Sequence, residues 1–310
     1  MQMKSARLIY NPVAGKKAVP ARLDNLVEIF QSRGWQVLPY RTTGKEDKMT
    51  YAGMLQSQDF DAVIVAGGDG TVHQVVNGMM TADLNLPLGI IPVGTSNDFA
   101  GHLDLPSDIG SCAELILKEK TTKIDLCCAG GSYFVNVASA GLLTDVPRET
   151  EVAMKNVWGK LAYYIKGIEK LPNFRAIPVE IAGDQKMIKE DILLFLIVNG
   201  GTVGGFSRLA PWASMTDGVF DVIVVKPCNL GHLFSLFIKL MKGEHINDPK
   251  VEYFQTSRLT INCPDHVNMD LDGEPGPGFP VEVSNIPGRL EVFTPKKFSS
   301  KAGKKVSREE

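Results

Sequence analysis

The first part of the chain, up to about residue 125, alternates apolar runs with segments of helical spacing. Residues 60–66 and 88–93 are almost continuously apolar, and shorter runs lie at residues 6–10 and 35–40. Runs without polar alternation are typical of strands that are buried on both faces of a parallel sheet. The pattern therefore predicts four such strands in this part of the chain.

The segments between these runs are predicted to be helices. Pro20 suits a first helical turn, and Gly34 ends the segment that follows it. Strands that alternate with helices imply an α/β fold, with a parallel sheet and helices on both of its faces. The clearest helical face is formed by Val72, Val75, Val76, Met79 and Met80, at i, i+3, i+4, i+7 and i+8.

The pattern changes near residue 126, where short apolar runs are separated by Gly, Pro, Asn and Asp. Two helices interrupt them, at residues 157–171 and 230–241. This half is predicted to be an antiparallel β-sandwich, and two domains suit a chain of 310 residues. The predicted strands are residues 132–138, 176–182, 191–199, 218–225, 258–262, 267–272, 280–284 and 289–294.

Composition narrows the class of protein. Lys and Arg number 33 against 35 Asp and Glu, and this near-balance argues against a nucleic-acid-binding protein. The longest apolar run, residues 192–198, is far shorter than the ~20 residues of a membrane-spanning helix. The N-terminus leads directly into a strand rather than a signal peptide, so we expect a cytoplasmic protein. Five cysteines without a C-x-x-C pair predict small buried side chains rather than disulfides or zinc.

The strongest chemical signal is Gly67-Gly68-Asp69-Gly70-Thr71, between a predicted strand and a predicted helix. Glycines let the backbone approach a ligand closely, and the start of a helix attracts an anion, so we expect phosphate binding. The alternative is a tight turn with Asp69 as the helix N-cap. Neither common nucleotide-binding motif fits. Gly15-Lys16-Lys17 is not a P-loop (Walker A) motif, because it lacks the Ser or Thr that follows the lysine, and His73 replaces the third glycine of G-x-G-x-x-G.

Two further polar turns should lie at the same edge of the sheet, where parallel strands end and α/β sheets bind ligands. They are residues 11–16, with Lys16, and residues 94–98. Each alone is an ordinary turn sequence. Together, the three turns offer N–H groups, hydroxyls and one lysine to a nucleotide triphosphate.

The second half contributes carboxylates. In Met269-Asp270-Leu271-Asp272 the alternation places both aspartates on one face of a strand, and Glu274 follows beyond Gly273. Asp272-Gly273 is equally a common turn sequence, and Asp217-Gly218 has the same ambiguity.

The ordered set of motifs resembles the diacylglycerol kinase catalytic domain family, in particular its bacterial soluble branch. Sphingosine and ceramide kinases share the glycine signature, as do NAD kinases and 6-phosphofructokinases more distantly. The resemblance runs from about residue 5 to 295. It is carried by Asn11-Pro12, Gly15-Lys16, Gly67 to Thr71, Gly94 to Ala100, Leu161 to Tyr164, Lys166 to Ile168, Gly204 to Phe206, Leu209 to Pro211, Asp217-Gly218 and Asp272 to Glu274.

The resemblance implies an α/β ATP-binding domain at residues 1–125, to which residues 295–310 return, and a β-sandwich lipid-substrate domain at 126–294. ATP would bind in the cleft between them. The expected activity is an ATP-dependent lipid kinase that phosphorylates the hydroxyl of diacylglycerol, or of a related membrane lipid, to give phosphatidic acid. Such a protein would bind the membrane surface peripherally. The acceptor lipid and a homodimer are left open.

The resemblance also assigns residues by position. Asp69 and Asp98 would organise phosphate and Mg²⁺, and Asp272 or Glu274 would be the base, with the longer Glu274 favoured. Asp217, with the backbone carbonyls of Ser214 and Val219, would hold a structural magnesium ion. The ATP site would be lined by Asn11, Pro12, Gly15, Lys16, Thr42 or Thr43, Gly67, Gly68, Asp69, Gly70, Thr71, Val72, His73, Thr95, Asn97 and Asp98.

Three features qualify the resemblance. Many members have arginine where Gly101 stands, which puts the acceptor lipid in question. An NAD kinase is one alternative, although that class uses an Asn-Glu pair and Asn77 is followed by Gly78. A nucleotide-binding protein without activity is the other alternative. It would be favoured by a lost carboxylate, but Asp69, Asp217, Asp272 and Glu274 are all present.

A membrane-facing helix is predicted near residues 155–170. Lysines and aromatic residues mix there as they do at membrane interfaces, although a solvated lysine face over an ordinary core has the same composition. The residues are Lys155, Trp158, Lys160, Tyr163, Tyr164, Lys166 and Lys170.

Overall fold

The computed structural model describes residues 3–141 and 176–295, except residues 202, 205, 207 and 265. The predicted helix at 157–171 and the tail from residue 296 lie outside the described residues. Within these ranges the chain forms a largely parallel, helix-covered region followed by an antiparallel sandwich. The expected two-domain α/β fold is confirmed.

The N-terminal region has the predicted order of strands, paired in parallel as β2-β1-β3-β4. All residues of β3 are buried, as its apolar run predicts. Its strands are β1 (Lys4–Tyr10), β2 (Trp35–Arg41), β3 (Ala62–Gly67) and β4 (Leu88–Pro92). Its helices are α1 (Ala18–Gln31), α2 (Lys48–Leu55), α3 (Asp69–Thr81), α4 (Asp98–His102) and α5 (Ile109–Ile116).

The second region adds the two layers of a sandwich. One layer is a separate antiparallel sheet in the order β12-β11-β10-β7-β14-β15, and the other continues the first sheet. The elements are β5 (Thr121–Ala129), β6 (Ser132–Phe134), β7 (Val137–Gly141), β8 (Ile177–Gly183), β9 (Met187–Ile192), β10 (Leu194–Val198), β11 (Phe220–Val225), α6 (Leu230–Lys242), β12 (Val251–Thr256), β13 (Arg258–Asn262), β14 (Met269–Leu271), β15 (Glu274–Pro275) and β16 (Val281–Phe293).

The long strand β16 joins the two regions. It pairs in parallel with β4 through Val292 and Leu88, and in antiparallel fashion with β5 and β13. The sequence predicted two strands here, at 280–284 and 289–294, which is wrong. The register shifts between Ile286 and Leu290 without ending the strand, because Gly288 adopts a positive φ of 61° and its N–H is held by Asp125 Oδ1 at 2.8 Å.

Two more predicted strands are each divided between the sheets. Residues 191–199 form the end of β9 in the first sheet and β10 in the second, with the change at Leu193. Residues 132–138 likewise supply β6 to the first sheet and the start of β7 to the second. The side chains are mostly buried in both sheets, so an apolar run does not reveal where the chain crosses from one to the other.

The predicted helical face of α3 is confirmed, because its five apolar residues are all buried against the parallel strands. The sandwich has its own core, in which Phe134, Phe195 and Phe220 are fully buried. The strand β5 runs across the predicted domain boundary at residue 125. Within the described ranges, no helix is both long and apolar enough to cross a membrane.

Candidate active site

The turns that follow β1, β3 and β4 lie against one another at one edge of the parallel sheet, as the strand order predicts. A methyl group on Gly94 would lie 2.4 Å from the Cα of Gly68, and one on Gly15 would lie 2.7 Å from the carbonyl oxygen of Val93. These distances are too short for any side chain. The backbones of the three turns therefore form one compact surface.

The glycine signature contains a helix start rather than a long loop. Gly68 is extended and is the N-cap of α3, so the helix begins at Asp69. The alternative in which Asp69 is the N-cap is wrong. Its Oδ1 accepts a hydrogen bond from the N–H of Phe99 at 3.2 Å, which ties the start of α3 to the start of α4. Two helix N-termini thus meet beside the turns, an arrangement suited to an anion.

Asn97 and Asp98, in the turn after β4, make different hydrogen bonds. The Asn97 carboxamide closes the turn, since Oδ1 accepts from Gly94 N at 2.8 Å and Nδ2 donates to Gly94 O at 2.9 Å. Asp98 is the first residue of α4, and its Oδ2 accepts from Gly204 N at 2.6 Å. Asp98 therefore links the edge of the parallel sheet that carries the three turns to the second domain.

The Asp272 carboxylate is buried at the junction of the domains, with its side chain 1% exposed. Oδ1 accepts from the N–H groups of Asn136 and Val137 at 2.9 and 3.0 Å. Oδ2 accepts from Val135 N at 2.8 Å and lies 3.2 Å from His73 Nδ1. Three backbone donors and one imidazole thus hold both oxygens.

Glu274 approaches the same helix one turn earlier. A methyl group on Gly70 would lie 3.3 Å from Glu274 Oε1, so this carboxylate lies beside the first turn of α3. Asp272 and Glu274 both reach α3, at His73 and Gly70. The predicted placement of Asp270 and Asp272 on one face of a strand is wrong, because β14 ends at Leu271 and Asp272 has a positive φ of 54°. Asp270 departs from them and accepts from Gly273 N at 2.8 Å.

Several residues assigned to the ATP site are buried. The buried residues are Pro12, Thr42, Val72 and His73. Their side chains are therefore largely out of reach of a nucleotide. Lys16 and Thr95 are exposed, and Asn11 Oδ1 accepts from Val13 N at 3.1 Å within its turn. Of the exposed positions, Gly15, Lys16 and Thr95 lie in the three turns, whereas Thr43 lies in the loop after β2.

The loop after β2 is organised by Glu46, a residue that the sequence analysis missed. The Glu46 carboxylate accepts from the N–H groups of Thr43, Gly44 and Lys45 at 2.8–3.1 Å. Burial by itself would raise the pKa of Glu46, but these hydrogen bonds, the strongest from Thr43, hold that pKa below its usual value. A glutamate three residues after a threonine was the available signal.

The predicted magnesium ligands near residue 217 lie in a turn, where some of their oxygen atoms already accept hydrogen bonds from the protein. Val219 O accepts from Asn285 Nδ2 at 3.0 Å, and Ser214 Oγ lies 3.3 Å from Thr216 Oγ1. The Asp217 side chain lies in an exposed turn, where Oδ1 accepts from Val219 N at 3.2 Å. Mg²⁺ is commonly held by one or two carboxylates with water as its remaining ligands, so the exposed Asp217 carboxylate fits the ion.

This turn is anchored by Asp125, another residue the sequence analysis missed. Asp125 is 2% exposed, and its two oxygens accept from Gly218 N at 2.7 Å and Gly288 N at 2.8 Å. It therefore holds the 217–218 turn against β16. A lone acid inside the apolar strand β5 was the signal in the sequence.

A metal ion beside the three turns would need ligands beyond the protein. In the part of the chain that the structure describes, no three His, Cys, Asp or Glu side chains form a cluster. Asp69 and Asp98 are brought together by the hydrogen bond from Phe99. Two carboxylates completed by substrate phosphates are a common way to hold Mg²⁺, so the site fits an ion that arrives with a nucleotide.

Comparison with known proteins decides the family. The model of the diacylglycerol kinase catalytic domain matches residues 5–129, and that of the YegS C-terminal NAD kinase beta sandwich-like domain matches residues 136–294. The chain belongs to the diacylglycerol kinase family. The resemblance found in the sequence is confirmed, and with it the assignment to the lipid kinases.

Full-length relatives agree with this membership. A diacylglycerol kinase of Bacillus subtilis (strain 168) is 38% identical over 295 residues, which cover 95% of this chain and 97% of that protein. A diacylglycerol kinase of Staphylococcus haemolyticus is 38% identical over 293 residues, covering 94% and 89%. A solved diacylglycerol kinase structure from Bacillus anthracis shares the fold with a TM-score of 0.73 at 24% identity, covering 96% and 98%.

Proposed function

We propose that the protein transfers the γ-phosphoryl group of ATP to the free hydroxyl of diacylglycerol, or of a closely related membrane lipid. With diacylglycerol the product is phosphatidic acid. The observation that carries the proposal is Glu274 beside Gly70, a carboxylate of the second domain at the first helical turn of the glycine signature. A proton acceptor there would lie next to a phosphate bound at the start of α3.

The three turns would bind the phosphates of ATP. The N-termini of α3 and α4 supply N–H groups and partial positive charge, and exposed Lys16 supplies a full charge. Asp69 and Asp98 would hold Mg²⁺, which when bound neutralises charge on the phosphates. Phosphoryl transfer depends mainly on such positioning and charge stabilisation.

Glu274 would be the base and Asp272 a positioning residue. Both oxygens of Asp272 already accept hydrogen bonds, three of them from backbone N–H groups. Glu274 would take the proton of the lipid hydroxyl as that oxygen attacks the γ-phosphorus and ADP leaves. Proton transfer of this kind contributes roughly 10²–10⁴ to the rate.

Asp217 would hold a second, structural magnesium ion with the carbonyls of Ser214 and Val219. Its turn is fixed by Asp125 to both β5 and β16, so an ion there would stiffen the junction between the domains. This role is separate from transfer itself.

The geometry around Asn77 disfavours an NAD kinase. The Asn77 carboxamide is 5% exposed and is engaged with the backbone of Tyr133, donating to its carbonyl and accepting from its N–H, both at 2.9 Å. This asparagine therefore joins the domains rather than facing a ribose.

The acceptor lipid determines where in the cell the enzyme must act. A diacylglycerol resides in a membrane, so we propose that the protein binds the membrane surface peripherally. The lysine-rich helix predicted near residues 155–170 falls outside the described residues.

An acceptor panel with γ-³²P-labelled ATP tests the function. Diacylglycerol, sphingosine, ceramide, phosphatidylglycerol and undecaprenol are offered in mixed micelles, with NAD in a parallel tube. We expect label in phosphatidic acid with wild-type protein and none with Asp69→Asn. Label in NAD alone supports the NAD kinase alternative. Binding of ATP without turnover on any acceptor supports a non-enzymatic nucleotide-binding protein.

A further inference from the structure

The helix α6 presents an apolar stripe to the solvent. Leu230, Phe234, Ile238 and Met241 follow one another at i, i+4, i+8 and i+11, and each is 39–43% exposed. This spacing places them along one side of a helix. The other large hydrophobic side chains that are exposed in the described residues, such as Met187, are scattered over different elements.

The stripe is not needed to anchor the helix. A different face of α6 packs on the outer side of the antiparallel sheet, where Leu236 is buried with Leu233 and Leu240 beside it. The Asn229 side chain caps the helix by accepting from His232 N at 2.8 Å. The helix thus has a buried face and a side-chain cap in addition to the exposed stripe.

The charges of α6 match an anionic surface. Its sequence contains no acidic residue, and its basic residues are His232, Lys239 and Lys242. The side chains of His232 and Lys239 contact the buried carboxylate of Asp248, at 2.9 and 2.7 Å, so Lys242 is the cation of the helix that is offered to an anionic surface. Exposed Arg208 lies at the C-terminal end of the helix, where its Nη1 donates to Lys242 O at 3.1 Å. An apolar stripe beside cations is the composition of helices that lie in the membrane interface.

The helix is connected to the active site through the segment around Phe206. Phe206 packs edge-to-face on Phe237 of α6, with ring centroids 5.8 Å apart. Two residues earlier, Gly204 donates its N–H to Asp98. A membrane that contacts α6 would thus be linked to Asp98 through the short segment that contains Gly204 and Phe206.

We propose that α6 is the membrane-docking element of this enzyme. The stripe of Leu230, Phe234, Ile238 and Met241 enters the boundary between headgroups and acyl chains, and Arg208 and Lys242 contact lipid phosphates. This inference rests on the proposed function, because a lipid acceptor is what requires the enzyme to reach a bilayer. Docking through α6 holds the cleft close to the hydroxyl of its acceptor.

Vesicle co-sedimentation tests the proposal. The double variant Phe234→Glu/Ile238→Glu places two charges in the stripe, and Met187→Glu changes an isolated exposed side chain on β9 as a matched control. The vesicles contain phosphatidylcholine, phosphatidylglycerol and dioleoylglycerol. We expect the partition coefficient of the double variant to fall by at least about tenfold, while Met187→Glu partitions like wild type.

Activity on two acceptors separates docking from catalysis. On water-soluble dihexanoylglycerol the double variant should keep wild-type turnover, and on vesicle dioleoylglycerol it should lose about tenfold or more. If wild type phosphorylates neither acceptor, the proposed function fails, while the sedimentation result still decides on α6.

Three results would overturn the proposal. The first is unchanged partitioning of the double variant. The second is a wild-type dimer in analytical ultracentrifugation that the double variant loses with unchanged partitioning, which would make the stripe an interface between copies. The third is a large drop in melting temperature with unchanged partitioning, which would mean that another part of this chain covers the stripe.

Discussion

His73 Nδ1 lies 3.2 Å from Asp272 Oδ2, and this contact joins helix α3 of the nucleotide domain to the sandwich. Asp272 has a positive φ of 54°, a conformation that costs energy for any residue except glycine. The hydrogen bonds from Val135, Asn136 and Val137 hold it there. The strained residue thus fixes the turn that presents Glu274 to α3.

Asp272→Asn should loosen this junction. An amide has one accepting oxygen, so its NH₂ group would face a backbone N–H and leave that buried donor unpaired. We expect the free energy of unfolding to fall by about 1–3 kcal/mol in urea titrations. Asp270→Asn changes a carboxylate within β14 that accepts from Gly273 N at 2.8 Å in an exposed turn, and it should cost less. Equal losses in the two variants would contradict the proposed role of Asp272.

Gly94→Ala should disrupt the edge of the parallel sheet that carries the three turns. The added methyl group would lie 2.4 Å from the Cα of Gly68, so the turns after β3 and β4 must separate. We expect KM for ATP to rise several-fold and the free energy of unfolding to fall by about 1–3 kcal/mol. Gly101→Ala is the control, because a methyl group there meets no atom within 4 Å. If both variants behave like wild type, the turns do not bind ATP.

Asp217→Ala tests the structural magnesium site. Removing the carboxylate should raise the magnesium concentration needed for half-maximal activity and lower the melting temperature measured in magnesium. Both quantities are compared with wild type and with Asp191→Ala, a change at a carboxylate on a distant strand. An unchanged magnesium requirement together with an unchanged melting temperature would leave Asp217 as a turn residue only.

Asp221 should make stability depend on pH. It is 1% exposed, and burial raises its pKa to about 6 despite hydrogen bonds from Tyr253 and Gln255. Between about pH 4 and 6 the native state keeps this proton while the unfolded state has lost it, so stability falls as pH rises. Above pH 6 we expect Asp221→Asn to be more stable than wild type by about 1–3 kcal/mol.

Denaturant titrations at several pH values measure this difference. The contribution of Asp221 is the wild-type curve minus the Asp221→Asn curve, because other carboxylates titrate in both proteins. A difference that does not change from pH 4 to pH 7 would show that Asp221 has an ordinary pKa.

Local patterns in the sequence predict the strand, the helix and the turns at one edge of the parallel sheet well. The buried strand β3, the amphipathic α3 and the glycines between them follow from residue spacing and turn chemistry within 20 residues. Parallel pairing then brings the three turns together without further information. The same reasoning failed at Leu193 and near Gly288, because both depend on contacts between distant strands.

The conformation and the hydrogen-bond partners of the carboxylates could not be predicted from the sequence either. Asp272 and Glu274 look equivalent in a strand pattern, but the positive φ of Asp272 sends its carboxylate to the backbone of residues 135–137. Its partner His73 is 199 residues away in the chain. Asp125 stands out in the sequence as a lone acid in an apolar strand, but its partners Gly218 and Gly288 lie 93 and 163 residues away in the chain. Such roles follow from three-dimensional packing.

The turnover of Glu274→Gln tests the central claim, that Glu274 is the catalytic base, most directly. The substitution keeps the size of the side chain beside Gly70 but removes its ability to accept a proton. We predict that transfer of ³²P from ATP to diacylglycerol falls by at least ~10²-fold in kcat, with ATP affinity and melting temperature near those of wild type. A Glu274→Gln enzyme with wild-type kcat would contradict the account, since the base would then lie elsewhere.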